Sequence, residues 1–458
     1  MSTFFLSAKF SVIKRLLQTF LFVVCLAGLI TLQQQSYLTP QPDLSTEPYR
    51  SQQAINHSNK NASWRTVFPG SLYVLPYAQL SAAFATPELH ITAVAEGVPS
   101  YVGSFLRGTI HCKCEFFPSN RGSPPTVSTD ALLERYAESQ LHGRIKYASG
   151  RFRCALLTPN AEEPDRPIRF RLHCRRGSLR SLTDFTVPNK GSDVSSPSRA
   201  SVSFAYCSAP IWGGFNDAAG LVEFLEYYRW MGVERFIFYV HDSAGPAVVR
   251  VLACYEERGL VETVRWTLPV RQDTVWYQAQ LAALHDCFAS TAGRWDYTLN
   301  VDLDEFVATT QQRKLSDLVE TSGESDCLMI RSSIMPVVQP DLLEADRSIG
   351  SIRTMSDVTR KDYVYPNEIR SKFLCRAEKV QEMGIHHVLR ASRGMTNFNF
   401  TPQVALLFHY RSTENLAAAE EDKICLAAGT VVDDRARRIA KQAGLGEIVE
   451  KQLRMCAS

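Results

Sequence analysis

From Ser203 onward the chain alternates short apolar runs with amphipathic segments, and this alternation constrains the fold more than any other feature of its 458 residues. Ser203 to Pro210 reads as an apolar strand, followed by a turn at Gly213-Gly214. Leu221, Phe224, Leu225, Tyr228 and Met231 then recur at the i, i+3, i+4, i+7 spacing of a helix face, with Asn216 or Asp217 as the cap and Gly232 as the stop. Phe236 to Val240 predicts a second strand, Ala247 to Arg258 a second helix closed by Gly259, and Val261 to Trp266 a third strand. Gln278 to Phe288 predicts a third helix, and Tyr297 to Val301 the strand after it. Such β-α-β-α order predicts an α/β domain over residues 200–430, with a mostly parallel sheet covered by helices and ligands bound beyond the carboxyl ends of its strands.

The last of those strands runs into Asp302-Leu303-Asp304-Glu305-Phe306. In an extended backbone, side chains alternate faces, so Asp302 and Asp304 are expected on one side with Leu303 and Glu305 on the other. Two carboxylates on one side suit Mg²⁺ or Mn²⁺, which prefer octahedral oxygen shells and keep water or substrate phosphates as further ligands. A nucleotide diphosphate is the expected third party.

The region before this domain reads as a membrane-anchored export product. Leu16 to Leu32 is apolar and uncharged, and Lys9, Lys14 and Arg15 precede it. The predicted organisation is a cytosolic tail (1–15), a transmembrane signal anchor (16–32) and a stem (33–65) rich in Gln, Ser, Asn and Pro. The chain is thus expected to be a single-pass type II membrane protein. Asn56-His-Ser58 and Asn61-Ala-Ser63 are glycosylation sequons in the stem, and Asn399-Phe-Thr401, followed by Pro402, is a third. Residues 66–190 carry short β-like runs such as Leu72 to Leu75 and Phe170 to Leu172, which predict a smaller β-rich accessory domain; helical periodicity appears only around Asp130 to Leu141. Pro188 to Arg199 reads as a linker, and residues 431–458 as a C-terminal helical extension. The arginines between Arg144 and Arg180 read as the wet face of strands.

A net charge of +3 with 45% hydrophobic residues describes an ordinary globular protein with no bias toward nucleic acid. Of the 12 cysteines, Cys25 lies in the anchor, which leaves an odd number facing an oxidising compartment. They are expected to act as disulfide staples, with one thiol either free or bridging a homodimer.

An acidic pair at a strand end, in a stemmed protein of the secretory pathway, resembles the Golgi glycosyltransferases of the GT-A (Rossmann-like) type. More specifically, the chain resembles glycosyltransferase family 92. The likeness runs through Cys207-Ser-Ala-Pro-Ile-Trp-Gly213, Leu221 to Val233, Phe236 to Tyr239, Val251 to Tyr255, Gly259 to Val261, Gln280 and Asp286-Cys287. It continues with Asp302 to Phe306, Ser371-Lys372, Met383-Gly-Ile-His386 and His409-Tyr-Arg411. The resemblance implies galactosyl transfer from UDP-galactose to a glycan or glycoprotein acceptor, with inversion, at the Golgi membrane. It implies that Asp302 and Asp304 hold Mn²⁺ or another divalent cation against the UDP diphosphate, with His386 or its rival His409 completing the shell. Lys372, Arg370 and Arg411 are the expected diphosphate contacts, and Trp212, Tyr239 and Trp276 the candidates for stacking on uracil or sugar. The base that inversion requires is not identified; Asp341, Glu344, Asp346 and Glu378 are the available carboxylates. His241-Asp242 departs from the family pattern. The competing readings are transfer from another UDP-sugar, an inactive carbohydrate-binding protein and, ranked last, a metal-dependent phosphodiester hydrolase.

Overall fold

The computed structural model describes residues 63–457, apart from 82, 85–86, 97–109, 118–123, 126, 138–144, 157–167, 188–201, 338–351 and 417–418. The segment 16–32, the sequons at Asn56 and Asn61 and the stretch 188–199 lie outside the described residues. No helix among the described residues is long and apolar enough to cross a membrane. The expected N-terminal membrane helix lies in the segment 16–32, outside the described residues.

Nine strands come first: β1 (Arg65–Phe68), β2 (Leu72–Val74), β3 (Gln79–Ser81), β4 (Glu88–Glu96), β5 (His111–Phe117), β6 (Val127–Arg135), β7 (Tyr147–Ala155), β8 (Ile168–Arg176) and β9 (Leu179–Val187). They form one sheet, antiparallel throughout, in the order β1-β2-β4-β7-β6-β5-β8-β9 with β3 on β4. The sheet curls until its edges approach, and the Arg65 guanidinium donates to the Asp184 carbonyl of β9 at 2.6 Å. Period-two alternation explains the closure. On β5, Cys112, Cys114 and Phe116 point into a core with Leu72, Ile91 and Phe152, while His111 and Lys113 face water. Disulfides Cys112–Cys174 and Cys114–Cys154 tie β5 to β8 and β7. The helical periodicity expected from Asp130 is overridden: Asp130 to Arg135 belong to β6, which pairs with β5 up to Ala131 and with β7 from Ala131 to Arg135.

The second part begins with the predicted alternation: β10 (Phe204–Cys207), α1 (Ala218–Met231), β11 (Val233–Val240), α2 (Pro246–Glu257), β12 (Val261–Arg265), α3 (Gln280–Thr291) and β13 (Tyr297–Asn300). Asp217 caps α1 by accepting the Gly220 N–H at 2.8 Å, and Gly232, at φ 109°, ends it. All five periodic side chains of α1 are buried, each contributing about 1.5–3 kcal/mol. After β13 come β14 (Glu305–Thr309), α4 (Leu315–Thr321), β15 (Cys327–Ile330), β16 (Ser332–Pro336), α5 (Arg353–Ser356), β17 (Thr359–Lys361), β18 (Lys372–Cys375), β19 (Val380–Met383), β20 (Val388–Ala391), β21 (Asn397–Asn399) and β22 (Ala405–Arg411). The chain closes with α6 (Glu420–Ala427), β23 (Thr430–Val432), α7 (Arg435–Gln442) and α8 (Leu445–Ala457).

The expectation of a mostly parallel, Rossmann-like GT-A sheet preceded by a smaller β-rich domain is not met. The largest sheet is the nine-stranded antiparallel one, and the described chain is richer in strand than in helix. In the seven-stranded sheet, ordered β12-β11-β10-β13-β18-β15-β21, β10 to β13 are parallel but β18 runs antiparallel to both neighbours. A third sheet, β14-β22-β16, stands beside it. The physical reason is local: helical crossovers between strands of this sheet end at Tyr297, and the later helices α4 and α5 link strands of different sheets, so β18 enters without a crossover and is free to pair antiparallel.

Two cores cover the seven-stranded sheet. One packs α1, α2 and α8 against β10, β11 and β14 through residues such as Phe224, Tyr228 and Phe306. The other joins α3 and the opposite sheet face to the nine-stranded sheet through Tyr73, Val94, Trp266 and Leu284. Disulfides Cys207–Cys287, Cys254–Cys456 and Cys327–Cys375 staple this part, and the remaining thiol among the described residues, Cys425, is buried.

Candidate active site

Beyond the carboxyl end of β13 the backbone does not stay extended. Asp302, Leu303 and Asp304 lie on a turn, closed by the Glu305 N–H donating to the Asp302 carbonyl at 3.0 Å. Glu305 folds back so that its Oε2 accepts the Asp302 N–H at 2.8 Å. Glu305 thus joins its neighbours instead of facing away, and the expected strand alternation fails because β14 starts at Glu305 itself.

Two sheets supply the partners. Antiparallel pairing of β14 with β22 sets His409 opposite Glu305, and pairing of β13 with β18 sets Phe373 opposite Asn300, which brings Lys372 up to the turn. Lys372 Nζ lies 3.0 Å from Asp302 Oδ2 and 3.6 Å from Glu305 Oε2. His409 lies between carboxylates, Nε2 at 3.3 Å from Asp304 Oδ2 and Nδ1 at 3.4 Å from Glu305 Oε1. The Asp302 and Asp304 side chains are 35% and 38% accessible, whereas those of Glu305 and Lys372 are 1% accessible. The two aspartates can therefore meet a ligand, while Glu305 and Lys372 back them from below.

The charges follow from these contacts. Burial pushes the Glu305 carboxyl up to about 7, aided by Asp302 and Asp304 and opposed by Lys372 and His409. Partial desolvation acts the same way on the partly exposed Asp304, but His409, Arg353 and Arg411 outweigh it and hold that carboxyl well below the usual range. Burial alone would weaken the Lys372 ammonium, yet Asp302 and Glu305 push it up to about 12. His386 sits in the turn between β19 and β20 with Nδ1 3.3 Å from the Ser371 carbonyl. Burial and the nearby Lys372 push it down to about 3, with Asp302 opposing, so the ring is neutral. Nδ1–H then donates to Ser371 and Nε2 carries the lone pair.

This donor set fits a hard divalent cation. A carboxylate oxygen and an imidazole nitrogen 3.3 Å apart have about the separation of adjacent ligands on an octahedral ion with bonds of ~2.1 Å. The Glu305 carboxylate lies 3.4 Å from the other ring nitrogen, close enough to act on the imidazole electrostatically but without a hydrogen bond. Among the described residues no group of three or more His, Cys, Asp or Glu side chains is arranged to hold a metal ion, so the fit rests on the Asp304–His409 pair, with the remaining positions left to water or substrate oxygens.

The other expected residues are dispersed. Arg411 is half-buried and near enough to influence Asp304. Arg370 is committed to Asp422, with bonds of 2.9 and 2.7 Å. Tyr239 is fully buried, and its hydroxyl donates to Asp286. Trp212 and Trp276 are partly buried and pack against Tyr277, which is 47% exposed. Tyr277, Gln278 and Ala279 all take left-handed φ, a strained run for non-glycine residues. Glu378 follows Cys375, at the end of β18 opposite to Lys372, so it does not join the acidic turn. Asp341, Glu344 and Asp346 lie outside the described residues. At the departure from the family pattern, Asp242 pairs with Arg265 at 2.7 Å and the His241 ring bonds the Ser243 hydroxyl at 2.8 Å.

Arg353, which sequence reasoning did not single out, donates to Asp217 at 2.7 Å and helps to hold Asp304 ionised. The two residues are 136 positions apart, and no local pattern marks them. Glu305 carried a usable signal: the apolar Phe306-Val307-Ala308 after it marks a strand start, which breaks the alternation at the acids.

An acidic turn beyond the ends of parallel strands, backed by a buried lysine and flanked by two imidazoles, makes a site suited to a charged ligand. Comparison with known proteins narrows the class. The model of glycosyltransferase family 92 matches residues 202–441, about half of the chain and every element of this site, and the chain belongs to that family. It is also 25% identical over 222 residues to a Caenorhabditis elegans protein named beta-1,4-galactosyltransferase galt-1, a match covering 47% of this chain and 50% of that protein. The chain thus spans about half the length of the curated relative that it matches.

Proposed function

We propose that this chain is a metal-dependent, inverting galactosyltransferase that moves galactose from UDP-galactose to a glycan acceptor in the Golgi lumen. One observation carries the reading: the Asp302–Glu305 turn exposes two carboxylates while Lys372 and His409, from different strands, balance them from behind. Asp304, Asp302, His409 and the Nε2 of His386 are the proposed holders of Mn²⁺. Bound there, the cation would act as a Lewis acid on the leaving diphosphate. Lys372 adds fixed positive charge beside Asp302, and Arg411 extends it on the side of Asp304. Glu305 aims His409 and Lys372 without meeting substrate. Because Glu378 stands at the far end of β18, the base for the acceptor hydroxyl is proposed to come from Asp341, Glu344 or Asp346. The beta-1,4-galactosyltransferase relative supports galactose as the sugar, and the five disulfides among the described residues support an oxidising, secretory compartment.

The test is UDP release from a panel of UDP-sugars, with Mn²⁺ or chelator, in the presence of a glycan acceptor array. The proposal expects UDP-galactose turnover that chelator abolishes. Turnover in chelator, or an Asp302→Ala/Asp304→Ala protein with full activity, refutes the metal assignment. Glycan binding without consumption of any sugar nucleotide refutes catalysis.

A further inference from the structure

The β19–β20 hairpin is a two-stranded sheet by itself, with an irregular register. Isolated hairpins are marginal in water, so the direction in which this one points is set by what it packs on. Its turn carries His386 and is held by the Gly384 N–H donating to the His387 carbonyl at 2.8 Å, so the histidine moves with the hairpin.

What the hairpin packs on is the N-terminal sheet. Glu134 of β6 accepts Arg151 Nε and a terminal nitrogen of the same guanidinium at 3.0 and 2.8 Å through one oxygen, and Arg390 of β20 through the other. The Arg151 guanidinium also donates to the Gln381 carbonyl of β19 at 2.7 Å. Glu382 accepts the Ala137 N–H at 2.8 Å and pairs with Arg390 at 2.8 Å. On the other flank the Met383 N–H donates to His285 of α3 at 3.1 Å. Arg151 and Glu382 are buried, so these contacts act where water screens little and geometry is tightly held.

We propose that Glu134, outside the matched family region, is a positioning residue for glycosyl transfer: it clamps the β19–β20 hairpin so that His386 is held beside Lys372 and Asp302. The inference rests on the reading of His386 as part of the donor site. Without the Glu134 charge, Arg151 and Arg390 lose the anion they share, and the hairpin is left to the Gln381, Glu382 and Met383 contacts, which fix its tilt less tightly. A displacement of the order of 1 Å at a reacting centre costs roughly 100-fold in rate, and loss of a carboxylate that orients a site histidine typically costs about 10–100-fold.

The experiment is a double-mutant cycle on the full chain, with Glu134→Gln, His386→Ala and the double variant. kcat, KM for UDP-galactose, the Mn²⁺ concentration for half-maximal rate and Tm are measured for each. Glu134→Gln is expected to lower kcat about tenfold and to raise the Mn²⁺ requirement, with acceptor KM unchanged. In the His386→Ala background it should change nothing further. Multiplicative losses in the double variant, or wild-type kcat in Glu134→Gln, overturn the clamp. Wild-type activity of His386→Ala overturns the reading of that histidine separately, without reference to Glu134. Should Glu134→Gln not fold, Arg390→Met serves the same cycle, because its side chain is 41% exposed and its loss leaves the Glu134–Arg151 pair intact.

Discussion

Replacing Lys372 with methionine tests the electrostatic frame of the site without touching either exposed aspartate. The ammonium is 3.0 Å from Asp302 and 3.6 Å from Glu305, and its side chain is 1% accessible. At an effective dielectric of about 20 each contact is worth roughly 5 kcal/mol of attraction, against a desolvation cost of several kcal/mol for burying the lysine. Methionine restores the volume and removes that cost, but it leaves Glu305 and Asp302 facing one another with no cation between them. Breaking a buried pair in this way costs about 3–5 kcal/mol, which for a region of this size corresponds to a fall in Tm on the order of 10 °C. Differential scanning calorimetry in chelator reads the effect. Mn²⁺ should then return more of the lost Tm to Lys372→Met than it adds to the wild type, since a divalent ion replaces part of the missing charge. A variant that melts within about 2 °C of the wild type in chelator would refute the claim that the lysine holds the carboxylates together.

Asp302→Asn and Asp304→Asn keep the shape of side chains that are more than one-third accessible but remove the charge that faces Lys372 or His409, so each should fold with a lowered melting temperature while UDP-galactose turnover falls at least about 100-fold; unchanged turnover would place the chemistry elsewhere. Glu305, raised to about 7, binds its proton more tightly folded than unfolded. Stability in chelator should therefore fall as pH rises from about 4.5 to 7, and Glu305→Gln should remove that slope in thermal melts; a slope that survives contradicts the burial argument. Asp304, held low, acts oppositely and contributes stability that is lost as pH falls below the usual carboxylate range. Replacing Cys207 and Cys287 together by alanine opens a cross-link spanning 80 residues; denaturant melts should show a loss of about 4 kcal/mol on the chain-entropy model, and no loss would mean that the bond is not formed.

Legibility in the sequence tracked the range of the interactions. The period of α1 and its caps, the strands β10 to β13 and the odd thiol were readable because short-range spacing or simple counting determines them. The acidic motif was readable as composition but not as geometry. Whether Asp302 and Asp304 share a strand face or a turn depends on where Glu305 sends its side chain, and that depends on Lys372 and His409, 67 and 104 residues away. The antiparallel entry of β18 between β13 and β15 was not readable, since no crossover helix announces it. Asp130 to Arg135 failed for a related reason: a strand paired with β5 up to Ala131 and with β7 from there on owes its conformation to those neighbours, not to its own periodicity.

Three carboxylates within four residues would ordinarily repel one another and favour an unfolded turn, and the placement of this turn shows how the fold tolerates them. Glu305 is the first residue of β14, so its backbone is fixed by the ladder to β22, and the Tyr228 hydroxyl donates to its carbonyl at 2.9 Å. Its side chain is then free to do electrostatic duty. It reaches back to the Asp302 N–H, sideways to His409 and across to Lys372, one from each of three chain segments. A hydrophobic residue at this position would pack at lower desolvation cost, but it would leave the Asp302 N–H without its acceptor and the imidazole and ammonium without the carboxylate that faces both. The buried carboxylate therefore makes sense as the group that fixes the direction of the two exposed ones. The acidic turn is where the seven-stranded and three-stranded sheets are joined, and the same contacts that join them present Asp302 and Asp304 to solvent.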